Sequence, residues 1–359
     1  MNCLYIHNRR SAGPKESSWF TFHHISEEME RRGHLLAKYS VDYDMTNDEG
    51  GKIKDKDWLK ADCLFTVFRQ AEGPLKIARV KKIPSFLEIN YACSQIVNPF
   101  MKKEIRRVGL GDDELRYEQT PVDKSLFDMV TYLIGAGNNY TAETYKQYGI
   151  KNIKMFRAGI DYDYFVPDFE KRGRSKIKFT FTAAYPNFRK GFWHLAEAWK
   201  NLSRKYQEKI ELHIFGSEPY AKGTIDAFNH MKNFSNVFYH GFISNRESEY
   251  LKIHAEADCM LCPTFAEGQS ATALEGMSFG LYPIISPYTG VDWNNVPKIM
   301  LSPEPKKWVN ELCDAMKYVV DNYGQINKQM PNIRQCAIDD YRWKDFSHQV
   351  VDFIENNIS

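Results

Sequence analysis

Two glutamates, Glu267 and Glu275, stand eight residues apart around a Gly268-Gln269-Ser270 turn. A helix that begins near Gln269 or Ser270 turns its unpaired backbone N–H groups and the positive end of its dipole toward the turn, where they favour an anion. Gly268 lets a ligand approach the backbone closely. Glu267 precedes this helix and Glu275 lies one to two turns inside it. One carboxylate therefore stands at the anion and the other beside it, placed to accept two hydrogen bonds from a ribose diol. A capped helix with two surface glutamates has the same spacing, so the flanking elements decide.

Those flanks are 257–263 before the turn and 281–286 after it. Both are short apolar runs of buried-strand type. Gly280 closes the helix between them. Strand, loop, helix, strand is the repeating piece of a parallel sheet. The same punctuation predicts strands at 3–7, 35–39, 63–68, 82–90, 127–135, 177–184 and 210–217. Helices are predicted at 17–32, 139–149, 191–202, 247–257, 303–323 and 343–356. In open α/β sheets ligands gather at the C-terminal ends of strands. That rule singles out Glu88 and Asn90, and the Gly216-Ser217 turn. Glu88 and Asn90 are candidate sugar or acceptor contacts, with strand-end groups satisfied locally as the alternative.

The chain has 359 residues, comfortable for two domains. Its net charge of +2 argues against a dedicated nucleic-acid binder. No apolar run reaches membrane-spanning length, and residues 1–7 read as a strand rather than a signal peptide. Seven scattered cysteines suit a reduced, cytoplasmic protein. Cys259 and Cys262 form a C-x2-C pair, which reads as strand packing. There is no H-x-x-x-H and no D-x-D at a strand end flanked by further ligands, and the Asp161-x-Asp163 string sits in the segment between domains, so no metal is expected. Lys102, Lys103, Arg106 and Arg107, interleaved with Phe100, Met101, Ile105 and Val108, form a basic amphipathic segment of the kind that docks on anionic membranes, or a solvated helix face.

The stretch 257–286 resembles the E-x7-E signature of the family 4 retaining glycosyltransferases, which have the GT-B fold. Leu274-Glu275-Gly276-Met277-Ser278-Phe279-Gly280 stands where that family usually has Leu-Glu-Ala-Met-Ala-Cys-Gly, and Pro283-Ile284-Ile285-Ser286 follows as it does there. Gly159-Ile160-Asp161 with Phe165 and Pro167 matches the family's connection between domains, with Ala158 for the usual Asn. Lys190-Gly191 matches a Lys-Gly that meets the nucleotide diphosphate. The family's arginine in that loop is missing, since Ala183-Ala184-Tyr185 fills its place, and Arg189 is the nearest cation. The 236–244 segment resembles the strand and loop bordering the nucleotide base, with Phe242 and Ile243 beside it. Gly13 lies where relatives bring the first domain to the donor phosphates, although the usual double glycine is absent; a plain surface loop is the alternative. Asn90 replaces a histidine that touches the donor sugar in many relatives.

The resemblance implies two facing Rossmann-like α/β domains with an interdomain cleft. The first is expected at 1–166, joined by a final helix at about 343–359, and the second at 167–342. It implies a retaining, metal-independent transfer from a UDP- or GDP-sugar to a glycan or lipid-linked acceptor, in the cytoplasm, with peripheral contact at the inner membrane surface. Glu267 and Lys190 would serve the chemistry. Glu275, Gly268, Gln269, Ser270, Arg189, Gly216, Ser217, Phe242 and Ile243 would bind the donor, and Gly13, Glu88 and Asn90 would lie on the acceptor side. The alternatives are a catalytically silent partner subunit of a glycosyltransferase complex or, lower in rank, a nucleotide-sugar epimerase or hydrolase.

Overall fold

A computed structural model describes residues 1–8, 17–41, 53–67, 72–115, 124–173, 175–202 and 204–358. Gly13 lies outside them. Short apolar runs at regular spacing form two parallel sheets. The first contains β1 (Cys3–Asn8), β2 (Leu35–Val41), β3 (Cys63–Val67), β4 (Ser85–Ile89), β5 (Tyr132–Ala136) and β6 (Ile153–Phe156), in the order β2-β1-β3-β4-β5-β6. The second contains β7 (Ile177–Thr182), β8 (Ile210–Phe215), β9 (Val237–Tyr239), β10 (Cys259–Cys262), β11 (Tyr282–Ile285) and β12 (Ile299–Met300), in the order β12-β11-β10-β7-β8-β9. Every strand pair is parallel, and β4 and β11 are buried at every position, as strands covered on both faces are. Read from β7 outward, the second sheet has the doubly wound Rossmann strand order.

The chain packs as two compact units. One is Met1–Cys93 with Thr120–Gly159 and Tyr341–Ser359; the other is Ser94–Gln119 with Ile160–Asp340. In the first unit the helices Ser17–Arg31 and Trp343–Glu355 cover one face of the sheet. Ile25 and Met29 meet Phe346, Val350 and Ile354 there, over Tyr5 and Phe65, whose rings stack at 4.6 Å. Arg32 pins the final helix through Asp352 (2.5 Å) and Glu355 (3.1 Å). The final helix thus packs on the first sheet.

Segment 94–119 departs from expectation. Its helix Ser94–Arg107 and the 3₁₀ turn Asp112–Leu115 belong to the second unit, which also begins at Ile160 rather than at residue 167. Phe100 lies against Phe265 (5.8 Å) and Tyr288 (5.5 Å). Glu104 accepts from the His194 imidazole at 3.2 Å and from Arg107 at 2.7 and 2.6 Å. The helix Lys222–Met231 starts after Ala221, which has no capping side chain, and the 3₁₀ turn supplies one. Asp113 accepts from the Lys222 N–H at 3.0 Å, and Glu114 accepts from the Thr224 N–H at 2.9 Å. Such caps contribute roughly 1 kcal/mol each.

That docking also corrects the amphipathic reading of 100–108. Met101 and Ile105 are buried in the second unit, Lys102 pairs with Asp112 at 2.6 Å, and Arg107 is held by Glu104. The apolar face is core and is not available to a lipid surface. Among the described residues no helix is long and apolar enough to cross a membrane.

Smaller differences have local causes. The run at 127–135 splits, because Lys124–Phe127 forms a helical turn that seats Phe127 against Tyr145 (5.7 Å); β5 starts only at Tyr132. The helix expected at 303–323 ends at Asp321, and a second helix, Tyr323–Asp340, follows around Pro331.

Candidate functional site

The chain leaves β7 toward β8 and returns on the other side at β10, so the switch point of the second sheet lies between β7 and β10. Two loops meet there. After β7, the Asn187 side chain accepts from the Lys190 N–H at 2.9 Å, an Asx turn that fixes Phe188-Arg189-Lys190. Gly191 completes the turn at φ 72°, where an added Cβ would sit 2.0 Å from the Pro263 carbonyl. Only glycine fits that contact between the two loops. After β10, Phe265 N–H donates to the Arg189 carbonyl at 2.7 Å. The loop is backed from the other side by Gly290, whose Cβ would fall 1.5 Å from the Gly268 carbonyl.

These contacts bring Arg189, Lys190 and Glu267 together. Glu267 Oε1 accepts from Lys190 Nζ (2.5 Å), Arg189 Nη1 (2.8 Å) and Thr264 Oγ1 (3.0 Å). Arg189 Nη1 also donates to the Ala266 carbonyl at 2.7 Å. Burial opposes ionisation of Glu267, but the two cations outweigh it and hold the carboxyl below its ordinary range. Two cations against one carboxylate leave a net charge of +1. Arg189 therefore faces the Glu267 loop. Behind the cluster, Phe188, Phe265 and Trp308 surround His194, with Phe188 and Phe265 stacked at 5.2 Å.

The helix Ala271–Ser278 starts at this cluster. Ser270 is its cap, accepting from the Ala273 N–H at 3.4 Å, and the Ser270 N–H donates to the Thr289 carbonyl at 2.9 Å. Glu275 lies on its second turn, where Oε1 accepts from Asn245 Nδ2 (2.8 Å) and Oε2 from the Tyr250 hydroxyl (2.7 Å). Burial pushes the Glu275 carboxyl above its ordinary range, and those two bonds oppose the rise. Thr264, Asn187, Asn245 and Tyr250 were not anticipated. The Pro186-Asn187 turn carried a signal for one of them; the rest reach the site by tertiary packing.

The other predicted residues divide by unit. Gly216 N–H donates to the Gly241 carbonyl and Ser217 N–H to the Ala184 carbonyl, both at 2.8 Å, so this turn joins the loops after β7 and β9. On the β9 loop Phe242 is 66 % exposed and Ile243 half-buried, three and two residues before Asn245. Glu88 and Asn90 stand at the C-terminal end of β4 in the first unit. Glu88 is 2 % exposed, and burial raises it to about 7, with a hydrogen bond from Thr21 opposing the rise. Cys259 and Cys262 lie in β10 as free thiols. Among the described residues no group of three or more His, Cys, Asp or Glu side chains is placed to hold a metal ion.

Tyr250 stacks on His254 at 3.8 Å. His254 Nδ1–H donates to the Tyr250 carbonyl (2.9 Å), which leaves Nε2 to accept from the Thr182 hydroxyl (3.1 Å). This imidazole is neutral, and burial holds it down to about 3. Below its ordinary value of 6.5 the unfolded chain takes up a proton that the folded chain refuses. Stability is therefore lost as pH falls from 6.5 toward 3, by about 1.4 kcal/mol per pH unit for each such group. In urea denaturation between about pH 6 and 4, His254→Gln is expected to reduce the slope of stability against pH by one proton. An unchanged slope would mean that His254 is protonated in the folded protein.

Residues 176–322 match the family model of the glycosyl transferases group 1, a stretch that includes Lys190, Glu267 and Glu275. No curated protein matches the sequence. In fold the chain is similar to HepE of Anabaena, solved with UDP and glucose, at 10 % identity and TM-score 0.68 over 99 % of this chain and 100 % of that one. It is also similar to sucrose-phosphate synthase of Thermosynechococcus elongatus, at 13 % identity and TM-score 0.66 over 99 % of each chain. WaaG, a glycosyltransferase involved in lipopolysaccharide biosynthesis, is similar at 14 % identity and TM-score 0.60 over 98 % of each chain. Residues 176–322 thus resemble the glycosyl transferases group 1, and the chain has the α/β GT-B fold of the solved glycosyltransferases.

Proposed function

We propose that the protein moves a sugar from a UDP- or GDP-sugar to a glycan or lipid-linked acceptor, with retention of anomeric configuration and without a metal cofactor. The observation that carries this reading is the pairing of half-buried Arg189 and Lys190 with buried Glu267 at the switch point, at the start of the helix that holds Glu275. Its excess positive charge and the helix-terminal N–H groups suit a nucleotide diphosphate as leaving group. A well-placed donor to such a developing charge is worth roughly 2.7–4 kcal/mol. Glu267, held anionic, is unsuited to act as an acid and instead orients the donor sugar's hydroxyls. Glu275 takes the ribose diol. As the bond from the sugar to the diphosphate breaks, the acceptor oxygen attacks from the same face, and the leaving phosphate takes its proton. Glu88 and Asn90 are assigned to the acceptor side. HepE with UDP and glucose supports the donor class, and WaaG the acceptor class. The reading places the protein in the cytoplasm, and at the inner membrane surface when the acceptor is lipid-linked.

Thermal shift with UDP, GDP, ADP and their sugars, in EDTA, tests the donor site. A ligand at about 100 times its Kd adds roughly 2.7 kcal/mol of stability. One nucleotide is expected to stabilise the protein, with the effect lost in Lys190→Ala and Glu275→Ala. No shift with any nucleotide would overturn the reading and favour a silent binding subunit.

A further inference from the structure

The residues that follow the crossing after Gly159, Asp161 to Phe165, are bound to both sides of Glu275. On one side stands Arg246. Its guanidinium pairs with the Asp161 carboxylate and lies 4.2 Å from the centre of the Tyr164 ring, while its carbonyl accepts from the Tyr164 hydroxyl at 2.8 Å. Arg246 is thus held at both its backbone and its tip. Its neighbour Asn245 is the residue whose amide reaches Glu275 Oε1 at 2.8 Å. On the other side stands Arg334. It donates to the carbonyls of Tyr162 (3.1 Å), Phe165 (2.6 Å) and Ser278, the last residue of the helix that carries Glu275. Both ends of the Asn245–Glu275 bond are therefore referenced to one five-residue segment.

We infer that Asp161 and Arg246 are positioning residues of the nucleotide site, holding Asn245 against Glu275 so that the carboxylate meets the ribose hydroxyls in a fixed orientation. The inference rests on the reading of Glu275 as the ribose contact. A carboxylate fixed by neighbouring hydrogen bonds loses little freedom on binding, and the affinity it gives depends on the groups that fix it. The effect should appear in recognition of the ribose, not of the phosphates, because the 161–165 segment holds Arg246 beside Asn245, whereas Lys190 is held by Glu267 and the Asn187 turn.

The test is calorimetric. UDP or GDP, whichever binds, is compared with its 2′-deoxy form on the parent, Glu275→Gln, Arg246→Ala, Asp161→Asn and the double variant Arg246→Ala/Glu275→Gln. The parent is expected to prefer the ribonucleotide by about tenfold or more, the range of one hydrogen bond to a charged group. In Arg246→Ala and Asp161→Asn the preference should fall toward one, with the 2′-deoxy affinity changed less than about twofold. The double variant should be no worse than Glu275→Gln, since the two residues act through one contact. Loss of preference in Glu275→Gln but not in Arg246→Ala or Asp161→Asn would overturn the inference alone. Equal weakening of both nucleotides, with a lowered Tm, would likewise reduce the pair to a structural role and overturn it. An unchanged preference in Glu275→Gln would overturn both the ribose reading and the inference.

Discussion

Glu267→Gln is expected to bind nucleoside diphosphate at least as tightly as the parent, by up to about tenfold, while sugar transfer falls roughly a hundredfold or more. The reason lies in the charge count at the switch point. Lys190 and Arg189 both spend bonds on Glu267 Oε1. A neutral amide still accepts from Thr264 and Arg189 but no longer competes with phosphate for Lys190, and the local net charge rises from +1 to +2. Affinity for a dianionic ligand should hold or improve. Transfer needs the carboxylate on the sugar's hydroxyls, and the amide cannot replace it. Alanine is the poorer probe, because removing one partner of a buried pair costs on the order of 3–5 kcal/mol and confuses stability with function. Calorimetry with UDP or GDP beside a transfer assay separates the two effects. If binding and transfer fell together, Glu267 would be serving only to hold the cations in place.

A second large effect concerns Glu88→Gln in the first unit. Burial raises this carboxyl from 4.5 to about 7, against the opposing effect of a hydrogen bond with Thr21. Below pH 4.5 both folded and unfolded chains hold the proton and Glu88 contributes nothing to the pH dependence. Between 4.5 and 7 the unfolded chain releases the proton while the folded chain keeps it, so stability falls as pH rises. Above 7 the loss is complete, at about 3 kcal/mol. Glutamine does not ionise. Glu88→Gln should therefore be more stable than the parent by about 3 kcal/mol at pH 8 and nearly equal to it at pH 4, by urea denaturation. A gain of the same size at both pH values would show that packing, and not ionisation, is the cause. A variant gaining stability while losing transfer would mark Glu88 as a residue kept for function at a cost to the fold.

Much of the site was legible because its signals are local. Ser270 caps a helix, Gly280 ends it, and the intervening apolar residues have helical spacing, so Glu267 and Glu275 could be placed on one loop and one helix. Lys190-Gly191 was legible through a glycine that only a tight turn requires. The partners of those residues were not. Asn245 and Tyr250 reach Glu275 from 30 and 25 residues away, and no spacing rule connects them. The helix Tyr323–Asp340 was hidden by Pro331, although Ile326, Met330, Ile333 and Ala337 keep a helical stripe on the buried face. The home of the helix Ser94–Arg107 was not legible at all. Its amphipathic pattern fits either sheet, and the choice is made by His194, Phe265 and the uncapped start of Lys222–Met231. Pattern fixes that a face is buried, while distant partners fix where.

The placement of segment 94–119 also bears on how the chain is made. The backbone crosses between units after residues 93, 119, 159 and 340, so neither unit is one uninterrupted stretch. A ribosome therefore releases Phe100, Met101 and Ile105 well before His194, Thr224 and Phe265 exist for them to pack on. At ordinary synthesis rates of about 5–20 residues per second, that interval is on the order of ten seconds. Throughout it the helix Ser94–Arg107 emerges with its apolar stripe unpartnered, while its glutamate and arginine side chains already have one another. The first unit has its own delay, because Phe346, Val350 and Ile354 complete its core from the last described helix. The nascent protein thus holds two unfinished hydrophobic faces at once, and these are the surfaces a chaperone would meet first.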